Sequence, residues 1–241
     1  MAALTLLHHD ARLVVIDKPS GWLVHRSNLD RHETRILVQA LRDQLGRRVF
    51  PVHRLDKGTS GVLLFALDAE AARDLGGQFE RNEVGKRYLA VVRGWPAESG
   101  LIDHALSDAA DPQGGCTGSV PRPAVTRYRR LATVELPFAV DRYPVARYAL
   151  VALEPLTGRR HQLRRHMKHI AHPIIGDATH GKGRHNRFFQ AQFGCGRLLL
   201  ACTALRFRHP GDGGELCVQT GPGDQFSALA KQLGWSNALS N

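Results

Sequence analysis

A chain of 241 residues, 43% apolar and 23% charged, has the composition of an ordinary globular protein of one large domain or two small ones. Its charge is less ordinary: 33 Lys and Arg against 22 Asp and Glu leave a net +11, which points to an anionic partner, nucleic acid first and an anionic membrane surface second. Cys116, Cys195, Cys202 and Cys217 lie far apart with no CxxC pair, so neither a zinc site nor a disulfide framework is suggested.

The opening MAALTLLHHDARLVVIDKP has no basic n-region and no long apolar core, so it does not read as a signal peptide. No run approaches the ~18 apolar residues of a membrane span. A reducing cytoplasm is expected. Residues 13–16 read as a short strand, closed by the turn signal Lys18-Pro19-Ser20-Gly21. Asp30 with Glu33 resembles a capping box, and Ile36, Leu37, Ala40, Leu41 and Leu45 then recur at helical spacing. Residues 62–66 are an apolar run that predicts a buried strand, and Asp68 is placed to cap a helix through Ala71, Leu75 and Phe79. Residues 88–92 are strand-like. The Gly/Pro/Ser-rich residues 108–123 predict a long surface loop. Strand-like runs resume at 124–128 and 148–153, followed by a basic helix at 162–170 and a Gly-rich basic loop at 176–187. Residues 198–200 and 205–207 predict two short strands, and 225–233 a closing helix. Strands and helices mix without strict βαβ alternation, which argues an α+β fold. No repeat or strong boundary divides residues 1–241, so a single domain is expected.

Three stretches carry chemistry. In 52-VHRLDKGTSGVLLFA-66 a carboxylate, two cations and two hydroxyls crowd the approach to a core strand. Residues two apart share a face of an extended segment, so Arg54 and Asp56 can point the same way. An ionised carboxylate there can serve as nucleophile or base, or merely form a surface ion pair. In 157-TGRRHQLRRHMKHIAHPIIGD-177, helical spacing stacks Arg160, Arg164 and Lys168 on one face, and Arg165 with His169 on the next. Such stacking suits phosphates, or a solvated basic face. Its histidines, His161, His166, His169 and His172, match no metal pattern, and Asp56, Asp68 and Asp177 are not spaced as metal ligands. In 86-KRYLAVV-92, Lys86 and Tyr88 share a strand face, as an aromatic platform for a base or a core tyrosine would. GxGxxG, GxxxxGK[ST] and GxSxG are absent, so nucleotide cofactors and serine-hydrolase chemistry lack support. The residues alone describe a cofactor-free RNA- or DNA-binding protein with one chemically suggestive aspartate.

The segment 53-HRLDKGTSG-61 resembles the HRLDxxTSG motif of the RluA-type pseudouridine synthases. The segments 18-KPSGWLVH-25, 86-KRY-88 and 157-TGRRHQLRRHM-167 fall in that family's order and spacing, and the resemblance runs from about residue 13 to about residue 210. Residues 21–31 and 157–181, with Asn186-Arg187, look most like the subgroup that modifies uridine 65 in the T stem of tRNA. The resemblance implies the pseudouridine synthase fold: a mixed, largely antiparallel sheet with flanking helices and a central RNA-binding cleft. It implies an isomerase that detaches uridine at N1 and rejoins it through C5, without metal or cofactor. Asp56 matches the catalytic aspartate, and Arg164 the arginine that pairs with it. Tyr88 matches the aromatic that stacks on the target base, Leu200 a residue that packs beside it, and Arg54 the residue that fills the vacated place. Many relatives carry Leu-x-Leu-His-Ala near the last motif; here 198-LLLACTA-204 has Ala201 in place of that His. The expected partner is tRNA, gripped through residues 157–168 and 180–187 by a monomer with no N-terminal RNA-binding module. Three alternatives stand beside this reading: a synthase for a ribosomal RNA uridine, an RNA-binding protein that keeps the fold without catalysis, and a metal-dependent nuclease, which the spacing of Asp56, Asp68 and Asp177 does not support.

Overall fold

A computed structural model describes residues 3–25, 33–107 and 120–239. In chain order the elements are β1 (Leu6–His9), β2 (Leu13–Lys18), α1 (Leu37–Leu45), β3 (Phe50–Pro51), β4 (Ser60–Ala66), α2 (Ala69–Glu80), β5 (Gly85–Arg93) and β6 (Ser99–Asp103). They continue with β7 (Val125–Leu136), β8 (Ala146–Pro155), α3 (Gln162–His169), α4 (Gly183–Phe193), β9 (Leu200–Arg208), β10 (Glu215–Gln219) and α5 (Asp224–Gln232).

All ten strands join one sheet in the order β1-β2-β4-β9-β5-β8-β7-β6, with β3 on β4 and β10 on β9. Every pairing is antiparallel except β4 with β9, which run parallel through Ser60↔Ala201 and Gly61↔Cys202. This is the expected α+β, largely antiparallel architecture. The parallel seam tolerates no side chain at Gly61: a Cβ there would lie 1.9 Å from the Cys202 carbonyl oxygen.

Strand alternation divides the core between the two faces. Tyr88, Ala90 and Val92 of β5 share one face with Ala149, Val151 and Leu153 of β8, in a core with Leu37 and Leu41 of α1 and Leu75 of α2. Leu89 and Val91 share the other face with Tyr148, Leu150 and Ala152, and α4 and α5 cover it with Phe189, Phe226 and Leu229. Burial on both faces explains why β4 reads as an unbroken apolar run rather than an alternation.

Local signals placed several elements. The Asp68 carboxylate accepts from the Ala71 amide at 2.8 Å and caps α2. Of the capping box foreseen for the first helix, only Glu33 is among the described residues, Asp30 lying outside them. Glu33 binds Arg35 and the Lys57 ammonium. Helix α1 starts only after Ile36, and its first amides are satisfied by backbone: Leu37 and Val38 donate to the carbonyls of Leu23 and Val24. Residues 108–119 of the expected loop also lie outside the described residues.

Elsewhere pairing overrode the local pattern. The two short strands expected around 198–207 are one strand, β9, held between β4 and β5. The loop foreseen at 176–187 ends early, because Gly183 opens α4, whose Phe188, Phe189 and Phe193 pack together. Among the described residues no helix is long and apolar enough to cross a membrane.

Candidate active site

The loop between β3 and β4 carries Asp56, and the Lys18–Gly21 turn clasps it from behind. The Lys18 ammonium donates to the carbonyls of Pro19, Lys57 and Thr59 at 3.0, 3.1 and 2.8 Å. Ser20 Oγ donates to the Gly58 carbonyl at 2.7 Å, and the Gly21 amide to the Lys57 carbonyl at 2.8 Å. Lys18 is fully buried. Burial, then the charge of Arg197, pulls its pKa down to about 7, with Asp56 pulling the other way. Three carbonyl acceptors match the three protons of an ammonium, so the geometry favours the charged form. A short polar turn is thereby fixed against the sheet.

Arg164 reaches Asp56 from α3. Its Nη1 donates to Asp56 Oδ2 at 2.9 Å, while Nε and Nη2 fork onto Asp177 Oδ2 and Oδ1, both at 2.7 Å. Asp177 also accepts from the amides of Thr179 and His180. Burial alone works against the Arg164 charge, but Asp177 and then Asp56 outweigh it and hold the guanidinium protonated. Burial likewise pushes the Asp177 carboxyl up, and its bonds to Arg164 and to the backbone outweigh that, leaving it below the usual carboxylate range. Asp177 thus orients the guanidinium, and the remaining donor is aimed at Asp56.

This corrects one expectation. Arg164 is not part of a phosphate-facing stripe with Arg160 and Lys168: it is buried, and its donors go to two carboxylates. The stripe fails because α3 begins at Gln162, which leaves Arg160 outside the helix. Arg160 and Lys168 are exposed.

The other expected residues converge on the same place. Arg54, Asp56, Tyr88, Arg164 and Leu200 all line one cleft of about 520 Å³. Arg54 is exposed at its rim, 3.4 Å from His25 Nε2. Tyr88 and Leu200 are nearly buried in its wall. Burial, then the neighbouring Cys202, pushes the Tyr88 phenol well above its usual range, so the ring stays neutral. By alternation Ala201 falls on the opposite face of β9 from Leu200 and Cys202, paired with Leu89 and fully buried. The departure at this position therefore alters packing behind the sheet rather than the cleft wall.

Three residues that no motif or spacing groups with Asp56 also meet here. His161 lines the cleft with Nε2 3.8 Å from Asp56 Oδ1, and His180 and Asp177 stand behind it. All three lie in residues 157–181, but nothing in their spacing shows that they meet. Among the described residues no group of three or more His, Cys, Asp or Glu side chains could hold a metal ion.

His53, at the cleft edge, accepts from the Leu64 amide through Nε2 at 3.0 Å and stacks on Phe79. Burial, then Lys86, holds its pKa down at about 3. The unfolded chain binds this proton near pH 6.5, well before the folded chain does. Stability therefore falls as pH drops through that window. His53→Asn is expected to flatten the fall between about pH 7 and about pH 5, read as the difference in urea midpoints. An unchanged difference would show that the ring titrates freely.

Residues 12–169, more than half of the chain, match the family model described as RNA pseudouridylate synthase. The chain belongs to that family. It is similar to "tRNA pseudouridine synthase C" of Yersinia pestis, with 48% identity over 236 residues, 97% of this chain and 92% of that protein. It is similar to the protein of the same name in Pectobacterium carotovorum subsp. carotovorum, with 49% identity over 98% of this chain, and spans 64% of that relative's length. Among solved structures it resembles Human RNA Pseudouridylate Synthase Domain Containing 4, with TM-score 0.69 and 26% identity over 95% of this chain and 93% of that one.

Proposed function

We propose that this chain isomerises uridine to pseudouridine in tRNA, at position 65 of the T stem, with Asp56 as the catalytic residue and residues 1–241 acting as one catalytic domain. The observation that carries this reading is the Asp56 carboxylate at the floor of an open cleft, anchored by Arg164 and flanked by Tyr88 and Leu200. In the reaction the N1–C1′ bond breaks, the base turns, and a C5–C1′ bond forms while the C5 proton leaves and N1 gains one. Every atom comes from uridine and water, so no cofactor is needed. Asp56 attacks the ribosyl or base carbon and stabilises the detached intermediate. A rigid loop suits that task, because holding a nucleophile in place removes several kcal/mol of barrier.

Neither C1′ nor C5 can be worked on inside a stacked stem, so the target nucleotide must leave it. Tyr88 and Leu200 then hold the flipped base, and Arg54 at the rim fills its vacated place. The exposed cations grip phosphates, Arg160 at the cleft itself and Lys168, Lys182 and Arg187 beyond its lining. The tRNA substrate is supported by the name of the relatives, and position 65 by the likeness of residues 157–181 and Asn186-Arg187; residues 26–31 of the other such stretch lie outside the described residues. The enzyme works as a monomer in the cytoplasm.

The test is tritium release from tRNA labelled at uridine C5. Release is expected from intact tRNA and is expected to vanish when uridine 65 is replaced by cytidine. Release that survives that change moves the target elsewhere in tRNA. Release from ribosomal RNA alone makes the substrate ribosomal, and none from either favours RNA binding without catalysis.

A further inference from the structure

The geometry points to His161 as a positioning residue for Asp56, held in its working tautomer by His180. The inference rests on the reading of Asp56 as catalytic. Arg164 occupies one carboxylate oxygen of Asp56, Oδ2. The other, Oδ1, faces His161 Nε2 at 3.8 Å, too long for a hydrogen bond and the kind of contact that tightens when substrate binds.

The ring is fixed from its far side. His161 Nδ1 and His180 Nε2 are 3.1 Å apart, and the rings meet edge to face at 74°. A hydrogen bond between two imidazole nitrogens needs one N–H and one lone pair. If His161 donated, its neutral ring would turn a lone pair toward the Asp56 carboxylate. If His180 donates, His161 carries its proton on Nε2, aimed at Oδ1. The carboxylate selects the second arrangement.

Burial keeps both rings below the ordinary histidine range, so the tautomer decides what His161 offers. The charged groups around His161 are Asp56, Arg164, Arg160 and Asp177. Those around His180 are Asp177, Arg164, His161 and Lys168. The His180 backbone is anchored too, its amide donating to Asp177 Oδ1 at 2.8 Å.

The backbone adds an independent sign. His161 sits just before α3 with φ of 54°, in the left-handed region. Such a conformation persists only where the surroundings hold it. Here the next residue does: the Gln162 side chain accepts from the Arg159 amide and donates to the Val125 carbonyl and Thr126 Oγ1. Together Arg164 and His161 stop the carboxylate of Asp56 from rotating, and no proton need pass between them.

The test is single-turnover tritium release and tRNA affinity for His161→Ala, His161→Asn, His161→Gln and His180→Phe, with Asp56→Ala alongside. Gln can place an amide N–H where Nε2 stood, whereas Asn is the better fit to left-handed backbone. Positioning predicts a rate about 10- to 100-fold lower for Ala and Asn, largely restored by Gln, with tRNA affinity unchanged. His180→Phe keeps the ring packing, loses the donor and lowers the rate several-fold. A merely structural role predicts the reverse order, with Asn nearest to wild type, and overturns the inference. So does a wild-type rate in His161→Ala beside an inactive Asp56→Ala. If Asp56→Ala itself keeps its rate, the reading beneath the inference fails, and the inference with it. Should His161→Ala not fold, the order of Gln and Asn still decides.

Discussion

Asp56→Asn is expected to give a folded protein that binds tRNA and releases tritium at least about 10⁴-fold more slowly than wild type, the scale of loss seen when a nucleophile is removed. The substitution keeps shape. An asparagine oxygen can still accept from Arg164 Nη1, now at 2.9 Å from the carboxylate. The guanidinium keeps its fork onto Asp177, so no buried charge is left without a partner. The Asp56 side chain is partly exposed, so losing its charge costs the fold little. Rate and stability should therefore separate: tritium release collapses while thermal unfolding and tRNA affinity stay close to wild type. A rate within tenfold of wild type would remove the Asp56 carboxylate from the chemistry.

Asp177→Ala is expected to damage both fold and activity. Its carboxylate is fully buried and takes two of the three hydrogen bonds described for Arg164. Removing one partner of a buried pair leaves a charge half compensated and costs about 3–5 kcal/mol, a large part of the roughly 5–15 kcal/mol that holds a typical protein folded. For a chain of this size that lowers Tm by roughly 6–20 °C. The Thr179 and His180 amides lose their acceptor as well, and the donor aimed at Asp56 is no longer oriented. The pH dependence has a definite sign. The Asp177 carboxyl lies below its ordinary range when folded. Its contribution is thus present above about pH 4 and lost as acid protonates it. The gap in stability between wild type and variant should close below that pH, and a constant gap would mean that the pair adds nothing through charge.

What could be read in advance followed a physical line. Helix α2 was legible because Asp68 caps it locally and its apolar residues recur on one face. Strand β4 was legible because burial on both faces leaves an unbroken apolar run. Strands β1, β6 and β10 were not: LLHH, SGLID and ELCVQ carry little apolar signal, and pairing with a neighbour makes them strands. Helix α4 was hidden behind the glycines and cations that open it. In the cleft, Arg54, Asp56, Tyr88, Arg164 and Leu200 stand in or beside recognisable motifs, and the fold brings them together. The partners of Arg164 were not legible, because Asp177 lies beyond its helix, and a stripe of like charges on paper became one inward arginine between two carboxylates.

The parallel seam between β4 and β9 bears on how the enzyme is made. Within the sheet, β9 is the strand that joins the half carrying the Asp56 loop to the half carrying Tyr88. It follows β5 and α3 in the chain, so the ribosome makes it last of the strands that frame the cleft. At roughly 5–20 residues per second, it emerges roughly 7–30 s after Asp56. Until then β5 presents an unpaired edge, and β4 one that β3 covers only at Phe65 and Ala66, the kind of surface that recruits strands from other chains. A nascent chain stalled before residue 200 would lack the strand that holds its aspartate beside its tyrosine, leaving it aggregation-prone and without an assembled cleft.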